Sequence, residues 1–281
     1  MLASAWLVSG GCGGADSRSD EPTSGGPGLV TAGGGIDTDE ASTDDGTTGA
    51  ATDGPGDGDD AGLKFDLQPA SDFGPGAEDC VGLFATVRDF SASHPDFETY
   101  TGEGFPNLVL PTLGADATPT FNPANQFFAP ISSAASFADW YHDVPGTNQA
   151  FEIELPLTEQ PTGEYVFDSA AFFPLDGMGF GNEGNPHNFH FTTEVHSTFT
   201  YHGGEVFTFR GDDDVWVFVD EQLVVDLGGP HPPLEGSVMM DALGLVVGQS
   251  YPMDIFHAER HTNASNFRIT TTIECFQPPV G

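Results

Sequence analysis

Short apolar runs separated by turn-forming residues fill the chain from about residue 63 onward. Apolar and polar positions alternate in "NFHFTTEVHSTFTY", and Phe207 and Phe209 alternate with Val206 and Thr208 in the run that follows. A period of two over about six to eight residues is typical of a strand with one buried face. The pattern therefore predicts an all-β domain over residues 63–281, built as an antiparallel sandwich or barrel.

One segment departs from this pattern. In "PISSAASFADWYHDV" the aromatic residues Phe137, Trp140 and Tyr141 have helical spacing. We expect a helical turn or two there, with the aromatic side chains packed in the core.

The first 62 residues differ in composition from the rest. Residues 1–12, "MLASAWLVSGGC", are similar to the end of a bacterial lipoprotein signal peptide, which implies export and lipidation of Cys12, although Ser9 replaces the usual aliphatic residue. The alternative is a free thiol in a disordered tail. Residues 13–62 are rich in Gly, Asp, Thr and Ser and too poor in apolar residues to form a core, so they predict a disordered acidic tether.

The charge balance excludes some partners. Six Lys and Arg against 43 Asp and Glu give a formal net charge of −37. No basic surface is available for nucleic acid, and an anionic membrane would repel the chain, so membrane attachment is expected only through a lipid anchor. The acids suit either hard cations or a solvated extracellular surface.

Cys80 and Cys275 bracket the predicted β domain. A disulfide between them closes a loop of about 195 residues (275 − 80), and the chain-entropy model gives such a bond about 3–5 kcal/mol. Exported proteins retain disulfides, so we expect this bond rather than two buried thiols.

Three consecutive aspartates, Asp212, Asp213 and Asp214, stand directly before the apolar run "VWVFV", and Asp220 follows it. Neighbouring carboxylates repel one another and are costly beside a buried strand unless something neutralises them. Their hard oxygens fit Ca²⁺, which takes six to eight oxygen ligands. The alternative is turn chemistry, in which the aspartates accept backbone N–H groups. The run "LVVDLGG" is expected to return as the second strand of a hairpin.

The blocks "FFPLDGMGFGNEG", "HNFHFTTEVHSTFTYHGGEVFTFRGDDDVWVFVDEQLVVDLGGPH" and "GLVVGQSYPMDIFHAERHTNASNFRI" resemble the fibro-slime domain, a branch of the PA14-like β-sandwiches. The opening "ATVRDFSASHPDFE" is similar to that family's first edge, and the resemblance spans about Cys80 to Cys275. It implies a PA14-like antiparallel β-sandwich.

The resemblance also implies a calcium site. In sugar-binding yeast adhesins of this superfamily, two aspartates joined by a cis peptide hold a Ca²⁺ that coordinates sugar hydroxyls. The aligned pair here is Asp212–Asp213, although a shift to Asp213–Asp214 stays open. The other implied ligands are the Glu259 side chain, where the adhesins have Asn, and the backbone carbonyls of His261 and Asn263. Asp220, His231 and His257 are expected near the ion or ligand, and Glu221 stands where Gly is usual.

A rival interpretation rests on "HAERH", which places His257, Glu259 and His261 on one side of a strand. These residues offer a mixed zinc site, and a hydrolase using zinc or paired carboxylates is the alternative function. Three other histidines, His187, His190 and His196, are expected to be structural or to contact sugar. No catalytic triad order is visible. The sequence therefore predicts an exported, non-enzymatic binding module for a glycan or matrix polysaccharide, at the cell surface or outside the cell.

Overall fold

A computed structural model describes Cys80 and residues 82–279 of the chain. The predicted leader with Cys12, the predicted tether and the start of the domain at residue 63 lie outside these residues. Among the described residues, no helix is both long and apolar enough to span a bilayer.

Eleven strands lie within the described residues, and most of them follow the predicted apolar runs. They are β1 (Gly82–Phe90), β2 (Asn148–Pro156), β3 (Thr158–Glu159), β4 (Tyr165–Ser169), β5 (Phe191–Thr200), β6 (Val206–Gly211), β7 (Asp214–Val219), β8 (Gln222–Leu227), β9 (Leu234–Met239), β10 (Ser250–Glu259) and β11 (Phe267–Thr271). One sheet has the order β2-β1-β5-β10-β7-β8 and the other β3-β4-β11-β6-β9. All neighbouring strands within each sheet are antiparallel, so the predicted all-β sandwich is confirmed.

The main core lies between the two sheets. Alternate residues of each strand point into it, such as Leu83, Ala85 and Val87 from β1 and Phe207 and Phe209 from β6. Eight of its buried residues are phenylalanines. The alternation of inward and outward side chains along the strands accounts for the alternating pattern seen in the sequence.

A second apolar layer covers the outer face of the six-stranded sheet. It comes from the long segment between β1 and β2, which contains a 3₁₀ turn (Pro123–Asn125) and the short helix α1 (Ala134–Ala138). Phe137, Trp140 and Tyr141 are buried there against Trp216 and Phe256, so the predicted core role of these three aromatic residues is confirmed. Because this layer covers it, β7 is buried on both faces, in line with its continuous apolar run.

The β7–β8 hairpin forms as predicted, with Asp220 and Glu221 as its two turn residues. Both have positive φ, 49° and 63°, as a two-residue turn that matches strand twist requires. This turn lies at the opposite end of β7 from the aspartate pair.

The structure contains the disulfide expected from the sequence, between Cys80 and Cys275. Cys80 lies just before β1 and Cys275 follows β11, so the bond joins the two ends of the described domain.

Candidate functional site

An acidic cavity of about 290 Å³ opens where β7 begins and β10 ends. Asp214 of β7 pairs with Ala258 of β10, and this register brings Asp212 and Asp213 beside Glu259. The cavity lining includes six of the residues named from the sequence: Asp212, Asp213, His231, Glu259, His261 and Asn263. Thr101, Gly102 and a proline-rich loop, which carries Pro230, Pro232 and Pro233, complete the wall.

Asp212 is held by the loop that follows β10. Its Oδ1 accepts the backbone N–H of Asn266, and its Oδ2 accepts the Asn266 side-chain amide at 2.9 Å. Burial raises the pKa of Asp212, and the nearby charge of Asp213 adds to that effect. The peptide between Asp212 and Asp213 is cis.

Asp213 is ionised by its neighbours. Its Oδ2 accepts a hydrogen bond from His261 Nδ1 at 2.8 Å and another from the Arg260 backbone N–H at 3.1 Å. Its Oδ1 accepts the His231 backbone N–H at 3.3 Å. Burial raises the pKa of Asp213, but the His261 hydrogen bond and the Arg260 charge outweigh it and leave that pKa below its ordinary value.

Glu259 is the least satisfied acid in the cavity. Its side chain is 2% exposed, and its Oε2 makes no hydrogen bond of ordinary geometry. Burial raises its pKa well above the usual range, repulsion from Asp213 and Asp212 raises it further, and the adjacent Ser265 hydroxyl offsets only part of this. Three carboxyl groups therefore face one cavity, where His261 pairs with Asp213 at 2.8 Å but no ion pair within the described residues joins a basic side chain to Asp212 or Glu259.

The structure gives Asp214 a role other than the predicted ligand role. Its carboxylate accepts Arg260 Nε at 2.7 Å and the Gly229 backbone N–H, and both side chains of the ion pair are fully buried. Arg260 also donates to the carbonyls of Asp96 and Pro130 and lies 4.9 Å from the Trp140 ring centroid. Asp214 is committed to this internal pair, so we leave it out of the ligand set proposed below.

Of two other residues predicted near the ion, one lies elsewhere and the other lies behind the aspartate pair. Asp220 is exposed in the β7–β8 turn, away from the cavity, so its predicted placement is wrong. His257 is fully buried, and its ring packs among Phe172, Phe191 and Phe267 while Nε2 donates to the Asp212 carbonyl at 2.8 Å. Burial lowers the pKa of His257 to about 4, so its ring is neutral and supports the aspartate backbone from behind.

His231, which was predicted to contact ligand, lies at the cavity. His261 and Asn263, the two predicted carbonyl donors, lie there as well. His231 lines it and holds Asp213 through its backbone N–H. The His261 carbonyl accepts the Asn263 N–H at 2.8 Å and keeps a second lone pair.

Within the described part of the chain, no group of three or more His, Cys, Asp or Glu side chains is arranged to hold a metal ion. Asp212, Asp213 and Glu259 by themselves are therefore not arranged to hold a metal ion. Any cation bound there would need backbone carbonyl or water oxygens as well as carboxylates, and Ca²⁺ accepts all three kinds of ligand.

Arg260 and Asn266 are site residues that sequence reasoning missed. Arg260 directly follows β10 and is one of six Lys and Arg residues in the chain. The rarity of such residues was the signal in the sequence that could have pointed to it. Asn266 carried no signal, because its contact with Asp212 depends on how the loop after β10 folds back.

His196 lies outside the cavity, on the outer face of the six-stranded sheet. Its Nδ1 is 2.7 Å from Asp254 Oδ1 and its Nε2 is 3.4 Å from Glu194 Oε1. Burial opposes protonation, but these two carboxylates raise the pKa of His196 to about 9 from 6.5. The ring is therefore a structural cation at neutral pH.

This ion triad predicts a pH-dependent stability. Between about pH 6.5 and 9 the folded protein binds more protons at His196 than the unfolded chain does, so its contribution is complete below 6.5 and is lost as pH rises through 9. We expect His196→Gln to cost about 2 kcal/mol near pH 6 and almost nothing near pH 9.5. Urea unfolding of both proteins at the two pH values measures this, and an equal cost at both would contradict it.

Residues 175–276 of this two-sheet antiparallel sandwich match the family model of the PA14 domain.

Two curated relatives are from Dictyostelium discoideum. Protein psiC is 45% identical over 213 residues, covering 69% of this chain and 41% of that protein. Protein psiD is 44% identical over 216 residues, covering 72% of this chain and 43% of that protein. The chain therefore spans about two fifths of the length of these relatives.

A similar solved structure is a PA14 sugar-binding domain from an RTX adhesin, with a TM-score of 0.31 and 12% identity. The match covers 68% of this chain and 89% of that one.

Proposed function

We propose that this chain is an exported, non-enzymatic module that binds a carbohydrate through a Ca²⁺ held in the acidic cavity. One observation carries the proposal: Asp212, Asp213 and Glu259 line the same cavity, and a buried Glu259 oxygen has no hydrogen-bond partner. A buried carboxylate beside two others is unfavourable until a cation compensates for the charge.

The donors present suit calcium. The carboxylates of Asp212, Asp213 and Glu259 would hold the ion, together with the carbonyls of His261 and Asn263, and all of these are hard oxygen ligands. When bound, the ion would supply positive charge and open coordination positions for sugar hydroxyl groups. The residues of the chain shape the rest of the cavity, where Thr101, Gly102 and Pro230 offer a neutral wall.

The hydrogen bonding favours binding over acid–base catalysis. Both oxygens of Asp212 and both of Asp213 accept hydrogen bonds from fixed donors. At Asp213 these donors and the Arg260 charge hold the pKa below its ordinary value, which favours a charged, stationary carboxylate over one that exchanges a proton. His257, a candidate zinc ligand in the hydrolase alternative, is enclosed in the core.

Export is supported by the disulfide, because such bonds persist in oxidising compartments. The net charge of −37 suits a solvated extracellular surface. We propose that lipidation at Cys12 anchors the module at the cell surface, and that its partner is a surface glycan or matrix polysaccharide.

Calcium is expected to stabilise the folded protein. At about 100 times its Kd, a ligand that binds only the folded state contributes about 2.7 kcal/mol, which corresponds to about 5–10 °C in Tm for a domain of this size. Thermal unfolding in calcium and in EDTA measures the shift. Asp213→Asn is expected to lower Tm in calcium and to remove most of the response to EDTA.

Asp220→Asn is the matched control, since it removes the same charge at the other end of β7 and Asn tolerates positive φ. It should keep the full calcium response. An unchanged Tm on calcium addition, or a response to zinc but not to calcium, would reject the calcium proposal, and the zinc result would favour the hydrolase.

A further inference from the structure

Phe127 and Phe128 are the most exposed large apolar side chains among the described residues. They are 82% and 80% exposed, and no other large apolar side chain there exceeds 63%. Two adjacent phenyl rings in water are unfavourable in an isolated domain, and exposed apolar clusters of this kind mark contact surfaces.

The backbone that carries these rings is fixed on both sides. Before them, the side-chain amides of Asn122 and Asn125 both donate to the Asn107 carbonyl, at 3.1 and 2.6 Å. After them, buried Arg260 donates to the Pro130 carbonyl at 2.8 Å. The rings therefore project from a backbone tied to the protein interior, so displaying them costs little ordering entropy when a partner binds.

The two rings border a second cavity, of about 390 Å³, next to the acidic one. Its lining includes no charged side chain. It consists of Tyr100, Gly104, Phe105, Phe127, Phe128, Ala129 and Pro130, together with the residues that it shares with the acidic cavity. The shared wall consists of Thr101, Gly102 and Pro230. The hydrogen bond from Gly104 N–H to the Pro230 carbonyl, at 3.1 Å, ties the two sides of that wall together.

The chemistry of the second cavity selects its occupant. An uncharged aromatic and proline lining favours a neutral ring with an apolar face, which a pyranose presents through its C–H groups. The net charge of −37 disfavours anionic ligands and anionic lipid surfaces. The adjoining acidic cavity is suited, through its cation, to the hydroxyl groups of a neighbouring unit.

We infer that Phe127 and Phe128 form a second sugar subsite, so that the ligand is a neutral oligosaccharide of at least two units that spans both cavities. This inference rests on the proposed function, since the first unit occupies the acidic cavity. The cation then holds the first sugar unit, and the aromatic rings favour ligands that have a second unit.

The test is a glycan array printed with neutral mono-, di- and tetrasaccharides of glucose, galactose, mannose and N-acetylglucosamine. Wild-type protein, the Phe127→Ala/Phe128→Ala variant and a Val246→Ala/Val247→Ala control are compared in calcium and in EDTA. The control trims two adjacent side chains that are 58% and 63% exposed but lie outside both cavities. Because all four residues are exposed, both variants should keep the Tm of the wild type.

We expect wild type and control to bind one or more di- or tetrasaccharides in calcium. The phenylalanine variant should lose about tenfold or more in affinity for these, with monosaccharide binding changed less than about twofold. Equal binding by all three proteins overturns the subsite and leaves the proposed function standing. No calcium-dependent glycan binding by the wild type overturns the proposed function and, with it, the subsite. Phenylalanine-dependent binding to phosphatidylcholine vesicles, without preference for chain length on the array, also overturns the subsite, in favour of a lipid surface.

Discussion

Replacing Arg260 with methionine is expected to lower the free energy of unfolding by about 3–5 kcal/mol. Arg260 and Asp214 are both fully buried and are joined at 2.7 Å, so removing the cation leaves an uncompensated carboxylate inside the protein. The same substitution removes the donors to the carbonyls of Asp96 and Pro130. Chemical denaturation monitored by tryptophan fluorescence measures the loss, since Trp140 lies against the guanidinium.

Two further variants separate the buried charge from the lost packing. Arg268→Met breaks an ion pair of the same length, 2.7 Å, whose side chains are 44% and 51% exposed, and should cost less than about 1 kcal/mol. Combining Arg260→Met with Asp214→Asn should recover part of the loss, because the orphaned charge is gone. A loss for Arg260→Met no larger than that for Arg268→Met would show that burial adds nothing to this pair.

Removing the disulfide is expected to have a similarly large effect. The bond joins residues 195 positions apart, and the chain-entropy model gives about 3–5 kcal/mol for a loop of that length. Cys80→Ser/Cys275→Ser should therefore unfold at a clearly lower denaturant concentration than oxidised wild type. Reduced wild type should match the variant, because both lack the same constraint on the unfolded chain.

Cys12→Ser is the control, since the third cysteine takes no part in this bond. It should leave both the stability and the sensitivity to reductant unchanged. If oxidised and reduced wild type unfold at the same denaturant concentration, the bond contributes nothing to stability.

Local patterns predict much of the architecture. A strand with one buried face alternates with period two, so the sequence alone identifies runs such as β5 and β6 as strands. The hairpin at Asp220 and Glu221 follows from two apolar runs separated by a short polar turn. The run "VWVFV" is harder to place, because a continuous apolar strand indicates that both faces are covered but not which residues cover them.

The acidic site, too, was predicted from the sequence only in part. The resemblance placed Asp212, Asp213 and Glu259 together, and they line one cavity. The sequence also offered Asp214 as a ligand and Asp220 as a neighbour of the ion. The structure assigns Asp214 to a buried ion pair and Asp220 to an exposed turn. Adjacent residues on a strand point to opposite faces, so three consecutive aspartates cannot all serve one site unless the backbone bends.

Strand pattern, charge balance and cysteine positions are local or global properties of the chain. They were enough to predict an acidic, disulfide-linked antiparallel β domain, either a sandwich or a barrel. The partners of individual side chains depend on contacts between residues far apart in sequence. Arg260 reaches Asp96 and Pro130 from 164 and 130 positions away, and Phe127 and Phe128 lie beside the acidic cavity only because their loop folds over the six-stranded sheet. Packing of the whole domain sets these distances, and no repeat or motif in the sequence encodes them.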